Sequence, residues 1–337
     1  MQIADFDYEL PDARIAQTPI EPRDSARLLV DRGSAAPEHR HVRDLPDLLR
    51  AGDLLVLNET KVIPARLRLR RDTGGRAEVL LLEALTDDRL TWEALLRPGK
   101  RLRVGEVLTY DGRPTVRVGE RTAAGDTFSV ELLADDVDPL TLLDAVGEMP
   151  LPPYITAALG DPGRYQTVFA TNPASAAAPT AGLHFTPELF DRLAAAGVAT
   201  AKVELVVGLD TFQPISTDNP LDHPMHTERY RVPESTMQAC RQAERVVAVG
   251  TTAVRALESA AARDELSGRT NIFIHRGFDW QVVDLMMTNF HLPKTTLLMM
   301  IDAFVGDRWR RLYADALAGD YRFLSFGDAM LLDRRAT

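Results

Sequence analysis

Residues 65–72 read ARLRLRRD, and the pattern of this short run decides the fold. Apolar residues alternate with arginine at a period of two. In an extended strand Arg66, Arg68 and Arg70 then share one face, and Leu67 and Leu69 share the other. A helix would scatter the same residues around its circumference. The alternation recurs in AEVLLLEAL at 77–85, LTWEALLRPG at 90–99, EVLTYDG at 106–112, PTVRVG at 114–119 and DTFSVELLA at 126–134. Turn-forming clusters separate these runs: DTGG, TDD, RPGK, DGRP and AAGD. Short strands at this spacing predict a small antiparallel barrel or sandwich over residues 61–145.

The flanks follow another rule. GDLLVLN at 52–58 and VVAVG at 246–250 are buried-strand runs, and AKVELVVGL at 201–209 is a third strand. TPELFDRLAAAGV at 186–198 predicts a helix with Thr186 as N-cap, Pro187 at the first helical position and Gly197 as stop. PESTMQACRQAERV at 233–246, TTAVRALESAAARDEL at 251–266 and DPLTLLDAVGEM at 138–149 are further helices. PEHRHVRDLP at 37–46 carries no apolar period and reads as a surface connection. The prediction is therefore an α/β main domain, residues 1–60 plus 146–337, with an inserted small antiparallel β-barrel domain at 61–145.

Composition narrows the function. A single cysteine, Cys240, excludes an intramolecular disulfide and a cysteine-rich zinc site, which favours a reducing compartment. The N-terminus, MQIADFDYELPDAR, is acidic and lacks the apolar run of a secretory signal. The most apolar stretch, LMMTNFHLPKTTLLMMIDAF at 285–304, is interrupted by Asn289, His291, Pro293 and Lys294, so no membrane span is expected. The expected location is the cytoplasm. Net charge is −10, against nucleic acid as a partner of the whole surface. Residues 61–121 nevertheless carry fourteen Lys and Arg against nine Asp and Glu. That basic segment is either a local polyanion contact, through Arg66, Arg68, Arg70, Lys100 and Arg101, or a solvated β-surface.

Four stretches can carry chemistry. In VVAVGTTAVRALES at 246–259 an apolar strand ends at Gly250, and Thr251 and Thr252 open a helix whose first N–H groups lack partners. Such a turn binds a carboxylate or phosphate, and Arg255 and Glu258 follow on one face. The alternative is ordinary threonine capping with a surface ion pair. In HPMHTERY at 223–230, His223 and His226 lie three apart beside Glu228. Pro224 hinders a helix and no third ligand is evident. One acid/base and one structural histidine therefore fit better than a metal site. VVDLMMTNFHLPK at 282–294 places Asp284, Asn289 and His291 around a buried strand, where α/β folds bind ligands. AAAPTAGLHF at 176–185 sets Thr180 and Gly182 in a turn that presents His184 between Leu183 and Phe185. That ring is either a core residue or a proton carrier.

AAPTAGLHF, AVGTTAVRALES, TNFHLPKTTLLM and YRFLSFGDAM, in this order, resemble the S-adenosylmethionine:tRNA ribosyltransferase-isomerase family of queuosine biosynthesis. FDYELPDARIAQTPIEPRDSARLLV, GDLLVLNETKVIPARL, MPLPPYI and RYQTVFA in the N-terminal half agree, so the resemblance covers nearly the whole chain. It implies an α/β domain with an inserted barrel. It also implies transfer and isomerisation of the ribosyl part of S-adenosylmethionine onto 7-aminomethyl-7-deazaguanine in tRNA, giving epoxyqueuosine-tRNA with release of adenine and methionine. It implies no metal, and a monomer.

The sulfonium acidifies the C5′ protons, so a base is needed, and adenine leaves better when protonated. His184 and His226 are the acid/base candidates, with His291 a third. Thr251, Thr252 and Arg255 are candidates for the methionyl carboxylate or a tRNA phosphate. Asn289 and Asp284 are candidates for the ribose hydroxyls or the deazaguanine edge, and Thr180, Gly182 and Glu258 complete the expected binding set. The sequence departs from the family pattern at Val206, where a histidine is usual, and at Asp210, where a glycine is usual. Two other readings stay open on that account: a divergent paralogue with a free nucleobase or small-molecule acceptor, and a non-catalytic nucleoside- or RNA-binding protein.

Overall fold

The computed structural model describes all residues except 100, 123–124, 136, 208–214, 216, 224, 226 and 337. Four strands precede the barrel: β1 (Arg27–Val30), β2 (Glu38–His41), β3 (Asp53–Asn58) and β4 (Thr60–Val62). The barrel strands are β5 (Arg66–Arg70), β6 (Arg76–Ala84), β7 (Thr91–Arg97), β8 (Val107–Tyr110), β9 (Arg113–Arg121) and β10 (Phe128–Leu132). Then come β11 (Gly147–Glu148), β12 (Asn172–Ser175), β13 (Ala199–Leu205), β14 (Glu228–Arg231), β15 (Arg245–Val249), β16 (Ser267–Thr270), β17 (Leu285–Asn289) and β18 (Ala329–Asp333). The helices are α1 (Leu45–Leu48), α2 (Pro139–Val146), α3 (Pro187–Ala195), α4 (Glu234–Gln242), α5 (Gly250–Arg263), α6 (Thr296–Val305) and α7 (Arg308–Ala318).

The six alternating runs of the sequence are the six strands β5 to β10. They pair antiparallel in the order β5-β6-β7-β10-β9-β8, and β8 returns to β5 through Arg70 and Thr109, closing the barrel. Leu67 and Leu69 point inward and are buried, while Arg68 and Arg70 are exposed. Val79, Leu81, Trp92, Ala94, Val116 and Val130 fill the interior with them. Closure removes the free strand edges that a sheet this small would otherwise expose.

The main sheet has the order β16-β14-β13-β3-β15-β17-β18-β1-β2. Its centre, β13-β3-β15-β17, is parallel, and β18 runs antiparallel to β17. Helices cover both faces, so the strands read as continuous apolar runs rather than alternating ones. The period of two is still present, because it divides the core. Leu54, Val56, Val246, Ala248 and Met286 pack on the face that holds α5, α6 and α7. Leu55, Leu57, Val247, Val249 and Met287 pack on the opposite face with Phe185, Leu189 and Leu193. Met286, Met287, Met299 and Met300 are all buried core, as gap-filling residues.

Local rules hold where the sequence states them. The Thr186 hydroxyl accepts the Leu189 N–H at 3.1 Å and caps α3, and Gly197 takes φ +78° beyond its end. The stretch 37–46 is not a surface connection. Glu38–His41 is the edge strand β2, antiparallel to β1. An edge strand exposed on both faces has no apolar period to betray it, since backbone pairing alone places it. No helix among the described residues is long and apolar enough to cross a membrane.

Candidate active site

A cleft opens at the carboxyl ends of β15 and β17. Three local structures build it. First, β15 stops at Val249, and Gly250 turns the chain at φ +83°, a conformation that favours glycine. The N-terminus of α5 is thereby aimed at the cleft, with Thr251 and Thr252 in its wall. The first N–H groups of a helix have no intrahelical partner and carry its positive dipole end. The Thr252 hydroxyl is buried and has no hydrogen-bond partner among the described residues either.

Second, β17 ends in Thr288 and Asn289. The Asn289 amide N–H₂ donates to the carbonyl of Leu324 at 3.1 Å and that of Asp328 at 3.4 Å, and its oxygen accepts the Thr180 hydroxyl at 2.9 Å. One side chain thus ties the 180–184 turn to the 324–328 loop. His291 follows, with Nε2 at 3.1 Å from the Thr288 hydroxyl. Its backbone N–H donates to the Tyr313 hydroxyl at 3.0 Å, and Tyr8 donates to its carbonyl. Burial pushes the His291 imidazole down to about 3, so the ring is neutral at pH 7.

Third, the Tyr154 and Ser325 hydroxyls meet at 2.7 Å across the wall. Burial raises the Tyr154 phenol to about 12, which keeps it protonated. Neutral donors and acceptors therefore surround the cleft, with a partial positive charge at the α5 end. That suits a zwitterionic or carboxylate-bearing ligand with hydroxyl groups.

Of the residues singled out in the sequence, Thr180, Thr251, Thr252, Asn289 and His291 line this cleft together. His184 does not. Its ring is 4% exposed, with Nδ1 3.0 Å from the Ala181 carbonyl and Nε2 2.9 Å from the Gly327 carbonyl. Both nitrogens face backbone oxygens, so the ring fastens the 180–184 turn to the loop before β18. Gly182 is a close approach rather than a ligand contact, since a Cβ there would lie 2.7 Å from the Phe169 ring. Glu258 accepts the N–H groups of Gln281, Val282 and Val283 at 2.9–3.1 Å, and burial raises its carboxyl above the usual range. It organises the chain entering β17. Asp284 sits at the far end of that strand, accepts the Val246 N–H at 3.0 Å and pairs with Arg335 at 2.5 Å. Arg255 forms a buried ion pair with Glu228 instead of lining the cleft, and its Nε and Nη2 have no hydrogen-bond partner among the described residues.

His226, Lys100 and Asp210 lie outside the described residues. Val206 lines a surface groove with Arg229, Arg231 and Arg269, while its neighbour Val207 lines the cleft. Among the described residues no group of three or more His, Cys, Asp or Glu is placed to hold a metal ion.

A family model described as "Queuosine biosynthesis protein" matches residues 3–332. The chain belongs to this family. An S-adenosylmethionine:tRNA ribosyltransferase-isomerase from Symbiobacterium thermophilum is 51% identical, covering 98% of this chain and 100% of that protein. One of the same name from Moorella thermoacetica is 50% identical, with the same coverage. The crystal structure of an S-adenosylmethionine tRNA ribosyltransferase from Thermotoga maritima is similar at 38% identity and a TM-score of 0.55, covering 97% of this chain and 99% of that one. Membership of the queuosine biosynthesis family over nearly the full length agrees with the expected architecture, an α/β fold carrying a closed six-stranded antiparallel barrel.

Reading the sequence for function missed Tyr154, Thr288 and Ser325. Tyr154 stands in MPLPPYI and Ser325 in YRFLSFGDAM, both quoted only for their family likeness. An isolated hydroxyl in an apolar run has no spacing that marks it. Only the fold brings positions 154 and 325 within 2.7 Å.

Proposed function

We propose that this chain is a queuosine-biosynthesis S-adenosylmethionine:tRNA ribosyltransferase-isomerase, and that the cleft at β15 and β17 is where the transfer occurs. S-Adenosylmethionine is the ribosyl donor, and the acceptor is the aminomethyl group of a deazaguanine in tRNA. Full-length relatives at 50–51% identity bear that name, which disfavours a small-molecule acceptor and a binding protein without turnover.

The observation that carries the assignment is the meeting of the unpaired α5 N-terminus with His291 and Asn289 in one wall. The N–H groups and the Thr252 hydroxyl hold the methionyl carboxylate. Asn289 and Thr180 orient the ribose. His291, which lines the same wall, is the proton acceptor for C5′ in this reading, although burial leaves its imidazole a weaker base than an ordinary histidine. Tyr154, protonated throughout the physiological range, is a donor to the departing adenine. His184 is a positioning residue for the turn that carries Thr180. No step in this scheme uses a metal.

In this reading the enzyme acts as a monomer. A tRNA substrate and the buried free thiol of Cys240 support a cytoplasmic location. Within it, residues 1–60 and 146–337 form the catalytic part and 61–145 the inserted barrel. The test is adenine release from S-adenosylmethionine in the presence of tRNA bearing the aminomethyl-deazaguanine. Release by the wild type and its loss in Thr252→Val are expected. No adenine above a protein-free control would overturn the reading.

A further inference from the structure

The cleft does not explain the charge distribution of the barrel. Strands β5, β6 and β7 present a shallow groove on the outer wall, lined by Arg68, Arg70, Arg76 and Arg97 around the carboxylate of Glu78. Cross-strand register sets this pattern. Arg68 and Arg97 each lie opposite Glu78, which is favourable, but Arg70 lies directly opposite Arg76. Like charges facing each other across a ladder destabilise a sheet. Arg68 is bound by Glu148 at 2.8 Å, and Arg70 reaches only the carbonyl of Gly74 at 3.4 Å. The Arg76 and Arg97 side chains are exposed and make no hydrogen bond or ion pair among the described residues.

The other arginine-rich surface behaves differently. At the edge of the main sheet Arg269 and Arg229 pair with Glu83, and Arg231 pairs with Glu204. Carboxylates therefore answer the arginines at that edge. In a chain of net charge −10, unanswered like-charge arginines on one barrel face break a local rule of stability, and such violations concentrate at functional surfaces.

The groove also connects to the cleft. Strand β11 pairs with β5, Arg66 reaches the carbonyl of Leu151 at 3.5 Å, and the chain continues from β11 through Leu151 to Tyr154 in the cleft wall. Resting on the tRNA reading above, we infer that this groove docks the phosphodiester backbone of the tRNA, with Arg70, Arg76 and Arg97 as its phosphate contacts. Charge complementarity identifies the occupant. Guanidinium groups bind phosphate bidentately, and their counterion release makes the affinity steeply salt-dependent. Arg66 and Arg101 are not part of the contact: Arg66 is half-buried against Leu151, and Arg101 does not line the groove.

The test compares the wild type, Arg76→Gln/Arg97→Gln and, as a barrel control outside the groove, Arg113→Gln. Affinity for a fluorescently labelled tRNA transcript is measured between 50 and 200 mM salt, alongside kcat and KM for adenine release. In the double variant tRNA affinity falls on the order of tenfold at the lowest salt, and the slope of log K against log salt falls by roughly 1.5–2. KM for tRNA rises while kcat at saturating tRNA stays unchanged, and Arg113→Gln matches the wild type. Wild-type affinity and slope in the double variant, or an equal loss in Arg113→Gln, would overturn the groove while leaving the functional reading intact. A wild type that neither binds tRNA nor releases adenine would instead sink that reading, and the groove with it.

Discussion

In the cleft, Asn289 commits its amide to Thr180, Leu324 and Asp328, and His291 is held by Thr288, Tyr313 and Tyr8. In the barrel groove, Arg70 faces Arg76 and Arg97 has no partner among the described residues. The first region is neutral, and among the described residues its polar groups are hydrogen-bonded except at the α5 N-terminus and the Thr252 hydroxyl. The second is wet and charged, with the Arg76 and Arg97 side chains left without a partner among the described residues. A site for chemistry requires fixed geometry, because misplaced groups lose transition-state stabilisation. A site for a polyanion requires uncompensated charge and tolerates mobile side chains, because its attraction is long-ranged and non-directional. The two regions therefore answer to different perturbations.

The largest expected effect is in the cleft. Replacing His291 with Phe removes the proposed base, and kcat for adenine release falls by about 10²–10⁴-fold with tRNA affinity unchanged. Loss of tRNA affinity with kcat retained would erase the division between the two regions.

Next comes the pH dependence of stability. The folded His291 value of about 3 lies below the ordinary histidine value of 6.5. The neutral ring therefore contributes stability that is full above the unfolded value and is lost as pH falls below it. Urea denaturation between pH 7 and pH 4 will show the wild type losing about 1.4 kcal/mol per pH unit relative to His291→Phe below about pH 6. Parallel curves would mean that the ring is solvated, like the groove.

Gly182→Ala is expected to cost about 1–3 kcal/mol, since the added methyl meets the Phe169 ring and the Thr167 methyl and one of them must shift. Unchanged thermal denaturation would show that the 180–184 turn is less rigid than the cleft requires. The smallest effect belongs to the groove. Arg76→Gln relieves the repulsion with Arg70 and leaves stability unchanged or raises it by roughly 0.2–1 kcal/mol. Clear destabilisation would make Arg76 a structural residue of the barrel.

Legibility followed the number of exposed faces. Most barrel strands have one wet face, so ARLRLRRD and runs like it announce themselves by alternation, although Val79 to Leu82 of β6 are buried throughout. The central strands have two buried faces, so VVAVG reads only as an apolar run, and Leu54 and Leu55 cannot be assigned to opposite cores without the fold. The edge strand 38–41 has no buried face and was unreadable. Of the residues singled out, Thr251, Thr252, Asn289 and His291 line one cleft, because strand-to-turn transitions of an α/β sheet open onto the same end. His184, Glu258 and Asp284 were misread for a common reason: a buried polar residue looks the same in sequence whether it binds a ligand or a backbone group.

The amino-acid order by itself determined the family, the α/β architecture with its barrel, and the turns at Gly197 and Gly250. These depend on local periodicity, steric rules at single residues and long shared motifs. Which polar side chains meet was decided only by tertiary structure. Tyr154 with Ser325, Thr180 with Asn289, His184 between two carbonyls and Arg70 against Arg76 are contacts between separate segments, except the last, which the β5–β6 hairpin register sets. Hydrogen bonds and charge pairs act over a few ångströms, and distance along the chain says nothing of that separation until the strands are in register.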